Sequence, residues 1–232
     1  MKRFWTEVAV TPDRGITLDG RPVRTPGRAA LLLPTPALAQ AVADEWRAVG
    51  ETLDPRAMPL TGLANAAIDR VAPDPRAFAA GLGRYAESDL LCYRAEAPEP
   101  LIERQHAAWD PVIAWAQGRY DVGIETTAGI IHRPQPPATL ARLGEAVAAL
   151  NPFALAACSP VVTLTGSLLL TLALVEHAFT PDQLWTAAHI DEDWQAELWG
   201  EDSLATQTRA HNRAAFDAAV RFLTLTASVI KS

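Results

Sequence analysis

The sequence predicts an α+β protein, with a small β-rich N-terminal domain over residues 1–58 and a larger, mostly helical, orthogonal-bundle-like domain over residues 59–232. Three observations carry this. The first 33 residues alternate polar and apolar character at period two and contain Asp19-Gly20, a strong hairpin signal. From Thr35 onward, a capping side chain followed by proline recurs ahead of segments with helical apolar spacing. Hydrophobic residues make up 49% and charged residues 20% of 232 residues, which is globular composition at a length that can bury a core.

The elements follow in order. "FWTEVAV" alternates, "PDRG" turns, and "ITL" leads into the Asp19-Gly20 hairpin. "RPVRT" and "RAALLL" extend the pattern across Pro26-Gly27, giving a small antiparallel sheet. Thr35-Pro36 opens a helix that Gly50 stops, with Leu38, Val42, Trp46 and Val49 as its apolar stripe. The domain boundary falls near Leu53 to Pro59. "MPLTGLANAAIDRV" is a helix ended by Pro73, and Asp74-Pro75 starts another, "RAFAAGLGRYAES". "DLLCYRA" has no assignable pattern. "EPLIERQHAAWDPVIAWAQGRY" is helical, with Pro111 bending it or restarting it after Asp110.

"YDVGIETTAGIIH" returns to strand character and predicts a hairpin through Thr127 to Gly129. Asn151-Pro152, Ser159-Pro160 and Thr180-Pro181 each predict a helix start. Val161 to Val175 reads as a buried core helix, since hydroxyls and a glycine interrupt it and spanning a bilayer takes roughly 20 apolar residues. The last segment, "LATQTRAHNRAAFDAAVRFLTLTASVI", is one long helix with Ala214, Val220 and Leu223 toward the core.

Several function classes are set aside. Cys92 and Cys158 lack motif spacing and lie in apolar surroundings, so two buried free thiols in a reducing compartment are expected, with one disulfide as the alternative, and with no zinc and no cofactor. "MKRFWTEVAV" is not a signal or transit peptide, so a cytoplasmic protein without membrane insertion is expected. "GLGRYAES" lies within a helical pattern and lacks the Lys-Ser/Thr of a P-loop, so the chain has no nucleotide machinery of its own.

Charge is uneven. The net charge is −7, yet the nine carboxylates between Leu143 and Thr208 meet no Lys or Arg there, leaving +2 for the rest. A field of one sign repels nucleic acid and steers basic partners. The bland alternative is that this segment packs against the chain's own basic ends, Lys2 to Arg28 at the start and Arg209, Arg213, Arg221 and Lys231 at the finish.

The charge concentrates in "DEDWQAELWGED", Asp191 to Asp202. Read as one helix, Ile190, Trp194 and Leu198 share a face, and Trp185, Glu192 and Trp199 lie nearly opposite. Asp193, Glu197 and Glu201 form a like-charged row, worth about 0.2–0.5 kcal/mol of destabilisation per pair. Asp191 to Asp193 lie too far along such a helix to gain from its positive end. Trp46, Trp109, Trp115 and Trp194 have core spacing, and Trp199 is the off-stripe indole assigned to function. The expectation is a docking face left without internal counter-ions. The alternative is a carboxylate-metal hydrolase on His189, Glu192 and Asp193, whose single His-x-x-Glu reverses the di-metal motif and occurs once.

"LDGRPVRTPG", "LPTPALAQAVADEW", "MPLTGLANAAID", "DLLCYRA", "QHAAWDP" and "DEDWQAELWGED", in this order from Leu18 to about Phe222, resemble the family of ATP synthase assembly chaperones dedicated to the alpha subunit of the soluble catalytic head. The resemblance implies a non-enzyme that binds no nucleotide, holds the unassembled alpha subunit and releases it when beta pairs with it. It implies a small β-containing domain followed by a helical bundle. It places partner binding on Glu192, Glu197, Glu201 and Asp202 beside Trp199 and Gly200, to which the like-charged row adds Asp193, and makes Trp46 structural. Ser203 and Leu204 stand where some organellar members have an acidic-aromatic pair, and the chain is of bacterial style.

Overall fold

The computed structural model describes residues 2–200 and 203–227, and the fold is α+β. The chain forms two compact units. The first takes the chain up to Pro75, Asn151–Ala157 and the chain from Asp217 on. The second takes Arg76–Leu150 and Cys158–Phe216.

In the first unit, β1 (Val8–Val10), β2 (Ile16–Leu18) and β3 (Arg21–Pro22) form an antiparallel sheet in that order, with Val8 opposite Leu18 and Leu18 opposite Arg21. The Asp19-Gly20 turn works because both residues adopt positive φ, 46° and 75°. The Asp19 carboxylate then accepts from the Thr6 and Glu7 amides at 3.0 and 2.8 Å. "RAALLL" contributes only isolated bridges, Arg24 to Ala30 and Gly15 to Leu32, where a strand was expected. Its leucines still serve the core, since Leu31 and Leu33 are buried.

Helix α1 (Pro36–Ala48) starts as predicted, with the Thr35 hydroxyl accepting from the Leu38 amide at 3.0 Å. Leu38, Val42 and Val49 are buried, while Trp46 is half-buried and meets Trp5 edge-on at 5.4 Å. Helix α2 (Pro59–Ala66) has no side-chain cap of its own. Glu45 of α1 supplies one from outside, accepting from the Leu60 and Thr61 amides at 2.8 Å each. An anion at that end satisfies orphan donors and opposes the helix dipole. A π-helical turn, Ala67–Val71, continues α2 and presents Asp69 to the Thr25 hydroxyl and the Gly27 amide at 2.6 and 2.7 Å.

The second unit begins within α3 (Pro75–Gly83), at Arg76, and continues through a 3₁₀ turn Arg84–Ser88 and another at Leu90–Cys92. Helix α4 (Glu99–Tyr120) runs unbroken through Pro111. It packs against α7 (Leu168–Val175), α8 (Pro181–Ala188) and α9 (Ile190–Trp199). Its Trp109 indole is buried and donates to the Ala187 carbonyl at 2.7 Å. The predicted hairpin near Thr127 is absent. Instead β5 (Thr127–Ala128) pairs in parallel with β4 (Tyr93–Arg94), which gives the unassigned "DLLCYRA" segment its role. Helix α5 (Pro137–Ala148) follows.

Two further expectations are corrected. Asn151 caps α6 (Pro152–Thr165) through the Phe153 and Ala154 amides, but Ser159-Pro160 lies inside that helix and opens none. The apolar run from Val161 to Val175 is two helices, broken where Gly166 takes φ 63° and Ser167 caps α7. Thr180 opens α8 with a full capping box through Gln183. In α10 (Ser203–Thr226), Phe216, Ala219, Phe222 and Leu223 are buried, whereas Ala214 is exposed and Val220 half-buried, so the core face is rotated from the one predicted. Cys92 and Cys158 are free and buried, and burial pushes both thiols up to about 12.

Candidate functional site

The acidic segment folds as α9, which starts at Ile190 because His189 leaves the helical path at φ −118°, ψ 17°. The His189 ring is buried, stacked on Trp185 at 3.9 Å, with Nδ1 2.8 Å from the Trp185 carbonyl. A carbonyl only accepts, so Nδ1 carries the proton. Nε2 faces Glu192 at 4.0 Å. This break overturns two readings. Trp185 belongs to α8 and is buried, so it shares no helical face with Trp199. Asp191, Glu192 and Asp193 occupy the first turn of α9, where the positive end of the helix favours them.

The expected absence of internal counter-ions is also corrected. Asp193 pairs with Arg209, Asp182 with Arg213, and Glu176 with Arg119. Asp191 accepts from the Gln105 amide at 2.7 Å. Glu197 accepts from Arg104 at 2.7 Å, and that hydrogen bond holds the Glu197 carboxyl below its ordinary range. The same guanidinium lies 4.8 Å from the Trp194 ring, which is half-buried rather than a core anchor. Arg209 and Arg213 belong to the basic C-terminal end noted in the sequence. Arg104 and Arg119 come from the middle of the chain, and only tertiary structure brings them to these acids.

Glu192 remains the open carboxylate of α9, with 70% of its side chain exposed. Trp199 is 83% exposed and its neighbour Leu198 59%, and Leu204, near the start of α10, is 69% exposed. Helix α9 ends because Gly200 takes φ 84°, a conformation that suits glycine. Between α9 and the start of α10 lies a groove of about 900 Å³, walled by Asp191, Glu192, Asp193 and Trp199 on one side and by Ala205, Thr206 and Arg209 on the other. Glu201 and Asp202 lie outside the described residues.

Chemically this is an apolar slot with a negative rim. A hydrolytic metal centre does not fit it. Asp193 is held by Arg209, and among the described residues no group of three His, Cys, Asp or Glu is placed to hold a metal. Among the described residues, no helix is long and apolar enough to cross a membrane.

Comparison with known proteins places the chain in a family. The ATP12 chaperone protein family is matched over residues 2–117. The crystal structure of Atp12 from Paracoccus denitrificans superposes with a TM-score of 0.92 at 46% identity, covering 97% of this chain and 98% of that one. A structure from Agrobacterium tumefaciens gives 0.89 at 41% identity, covering 96% and 85%. The mitochondrial protein atp12 of Schizosaccharomyces pombe is 25% identical over 214 residues, 86% of this chain and 74% of its own length. With half of its length matched by the family and nearly all of it aligned on the Paracoccus protein, the chain belongs to the ATP12 chaperone protein family and is a chaperone of ATP synthase assembly, not an enzyme.

Proposed function

We propose that the chain acts in the cytoplasm, where it binds the unassembled alpha subunit of F-type ATP synthase and shields it until beta pairs with it. The docking face is the outer side of α9 and the groove beside it. The observation that carries this reading is Trp199, an indole left 83% exposed at the mouth of an acid-rimmed slot. Large aromatics are enriched at binding hot spots, and exposed apolar clusters mark interaction surfaces.

The carboxylates divide by role. Glu192 is open to a basic group on the client. Asp193 and Glu197, held by Arg209 and Arg104, orient α9. Glu201 and Asp202 follow Gly200 in sequence and add two carboxylates to the assignment. Such charges speed encounter and select the partner more than they add affinity.

Co-expression with the alpha subunit alone tests this. Alpha stays soluble with the wild-type chain and precipitates with Trp199→Ala or Glu192→Lys. Equal alpha solubility with and without the chain would contradict the proposal.

A further inference from the structure

Helix α9 leaves a second exposed apolar feature of the same unit unexplained. Ile130 and Ile131, at the tip of the loop after β5, are 95% and 80% exposed. Single exposed apolar residues are ordinary, but two adjacent β-branched ones on a fixed tip are not.

The tip is fixed from several directions. The Gly129 amide donates to the Arg94 carbonyl at 2.8 Å, at φ 79°, prolonging the β4–β5 pairing. Across the base, the buried Gln135 amide accepts from the Glu125 N–H at 3.0 Å and donates to the Glu125 carbonyl at 2.7 Å. Beyond the isoleucines, the Tyr93 hydroxyl meets His132 Nδ1 at 3.0 Å. A clamped loop has little ordering entropy left to lose on binding.

The surround is negative. Glu87 lies 3.4 Å from His132 Nε2, Glu125 pairs with Arg133 at 2.8 Å, and the Glu96 carboxylate sits against Gly129, 3.2 Å from where a Cβ would be. Three carboxylates thus stand around the tip with one arginine. The complementary partner is an apolar socket with a basic rim. A second copy of this chain would set acid rim against acid rim, which is repulsive.

We propose that the loop over residues 129–134 is a second docking element, whose two isoleucines enter an apolar, basic-rimmed socket on the client. This rests on the reading that the client is the alpha subunit. It adds a contact separate from Trp199, so either can fail alone.

The test measures the dissociation constant for purified alpha subunit with the full-length chain, an Ile130→Ser/Ile131→Ser double variant, Glu96→Lys and Trp199→Ala, alongside melting temperature and oligomeric state. The double variant is expected to bind on the order of 30-fold more weakly or worse, with an unchanged melting temperature, because both side chains are solvent-facing. Glu96→Lys keeps both isoleucines and is expected to bind roughly fivefold more weakly at low salt, a difference that closes at high salt. If wild type binds and both loop variants bind equally well, the loop proposal is overturned while the Trp199 face stands. If the double variant instead dissociates a dimer without changing client affinity, the occupant is a second copy and the proposal is again overturned. No alpha binding by wild type would overturn both readings together.

Discussion

Arg104 on α4 holds Glu197 on α9 at 2.7 Å while its guanidinium covers the Trp194 ring at 4.8 Å. One side chain therefore fixes the inner side of the acidic helix by charge and by cation–π attraction. The outer side is left to Glu192, Leu198 and Trp199. The division between holding acids and offered acids follows from this contact.

Replacing Arg104 by alanine should loosen α9 without unfolding the protein. The ion pair is exposed, and exposed pairs contribute little to global stability. Amide hydrogen exchange across Ile190–Trp199 is expected to quicken, with the melting temperature kept within roughly 3 °C. A cooperative loss of the whole fold would mean that the pair is structural in a larger sense.

Trp199→Ala should leave the melting temperature unchanged, since its indole is 83% exposed, while client affinity falls on the order of 30-fold or more, as for a hot-spot aromatic. Glu192→Lys should slow association more than it speeds dissociation, and stopped-flow measurement at two salt concentrations separates the two.

Asp89 gives a pH dependence. Its carboxyl is buried beneath the Leu91 and Leu169 amides, at 3.1 and 3.0 Å, and burial pushes it up to about 6 from its ordinary 3.8. The fold therefore favours the protonated form more than the unfolded chain does. The stabilising contribution is full below about pH 4 and is lost as pH rises through 6, on the order of 3 kcal/mol in all. Urea unfolding at a series of pH values should show wild type losing stability relative to Asp89→Asn as pH rises across that window. Parallel curves would show that Asp89 does not titrate there.

Thr35→Val should cost about 1–3 kcal/mol. The hydroxyl caps α1 through the Leu38 amide and donates to the Leu225 carbonyl at 2.6 Å, and it is buried, so valine fills the space without either bond. Denaturant melts measure this directly.

Much of this was legible in the chain, for local reasons. Asp19-Gly20 fixes its turn through backbone conformations that few residue pairs accept, and Thr35, Asn151 and Thr180 cap helices through their nearest amides. The exposure of Trp199 was legible because it lies off the stripe that carries Ile190 and Trp194, and Ile190 is buried while Trp199 stands outside. Ser159-Pro160 misled because the same dipeptide fits inside a helix when tertiary packing holds the chain straight. The break at His189 carries no turn residue. It depends on the imidazole bonding back to the Trp185 carbonyl, so the face shared by Trp185 and Trp199 was drawn wrongly. The counter-ions were hidden for another reason. Arg104 and Glu197 are 93 positions apart, and charge pairing at that range follows from the fold, not from any spacing.

The central claim is that the outer face of α9 is where the client docks. Hydrogen exchange of the full-length chain, alone and saturated with purified alpha subunit, tests it most directly. Slower exchange through residues 195–200, with the β1–β3 sheet unchanged, is the predicted result. Exchange in α9 that stays the same while alpha is demonstrably bound would contradict it.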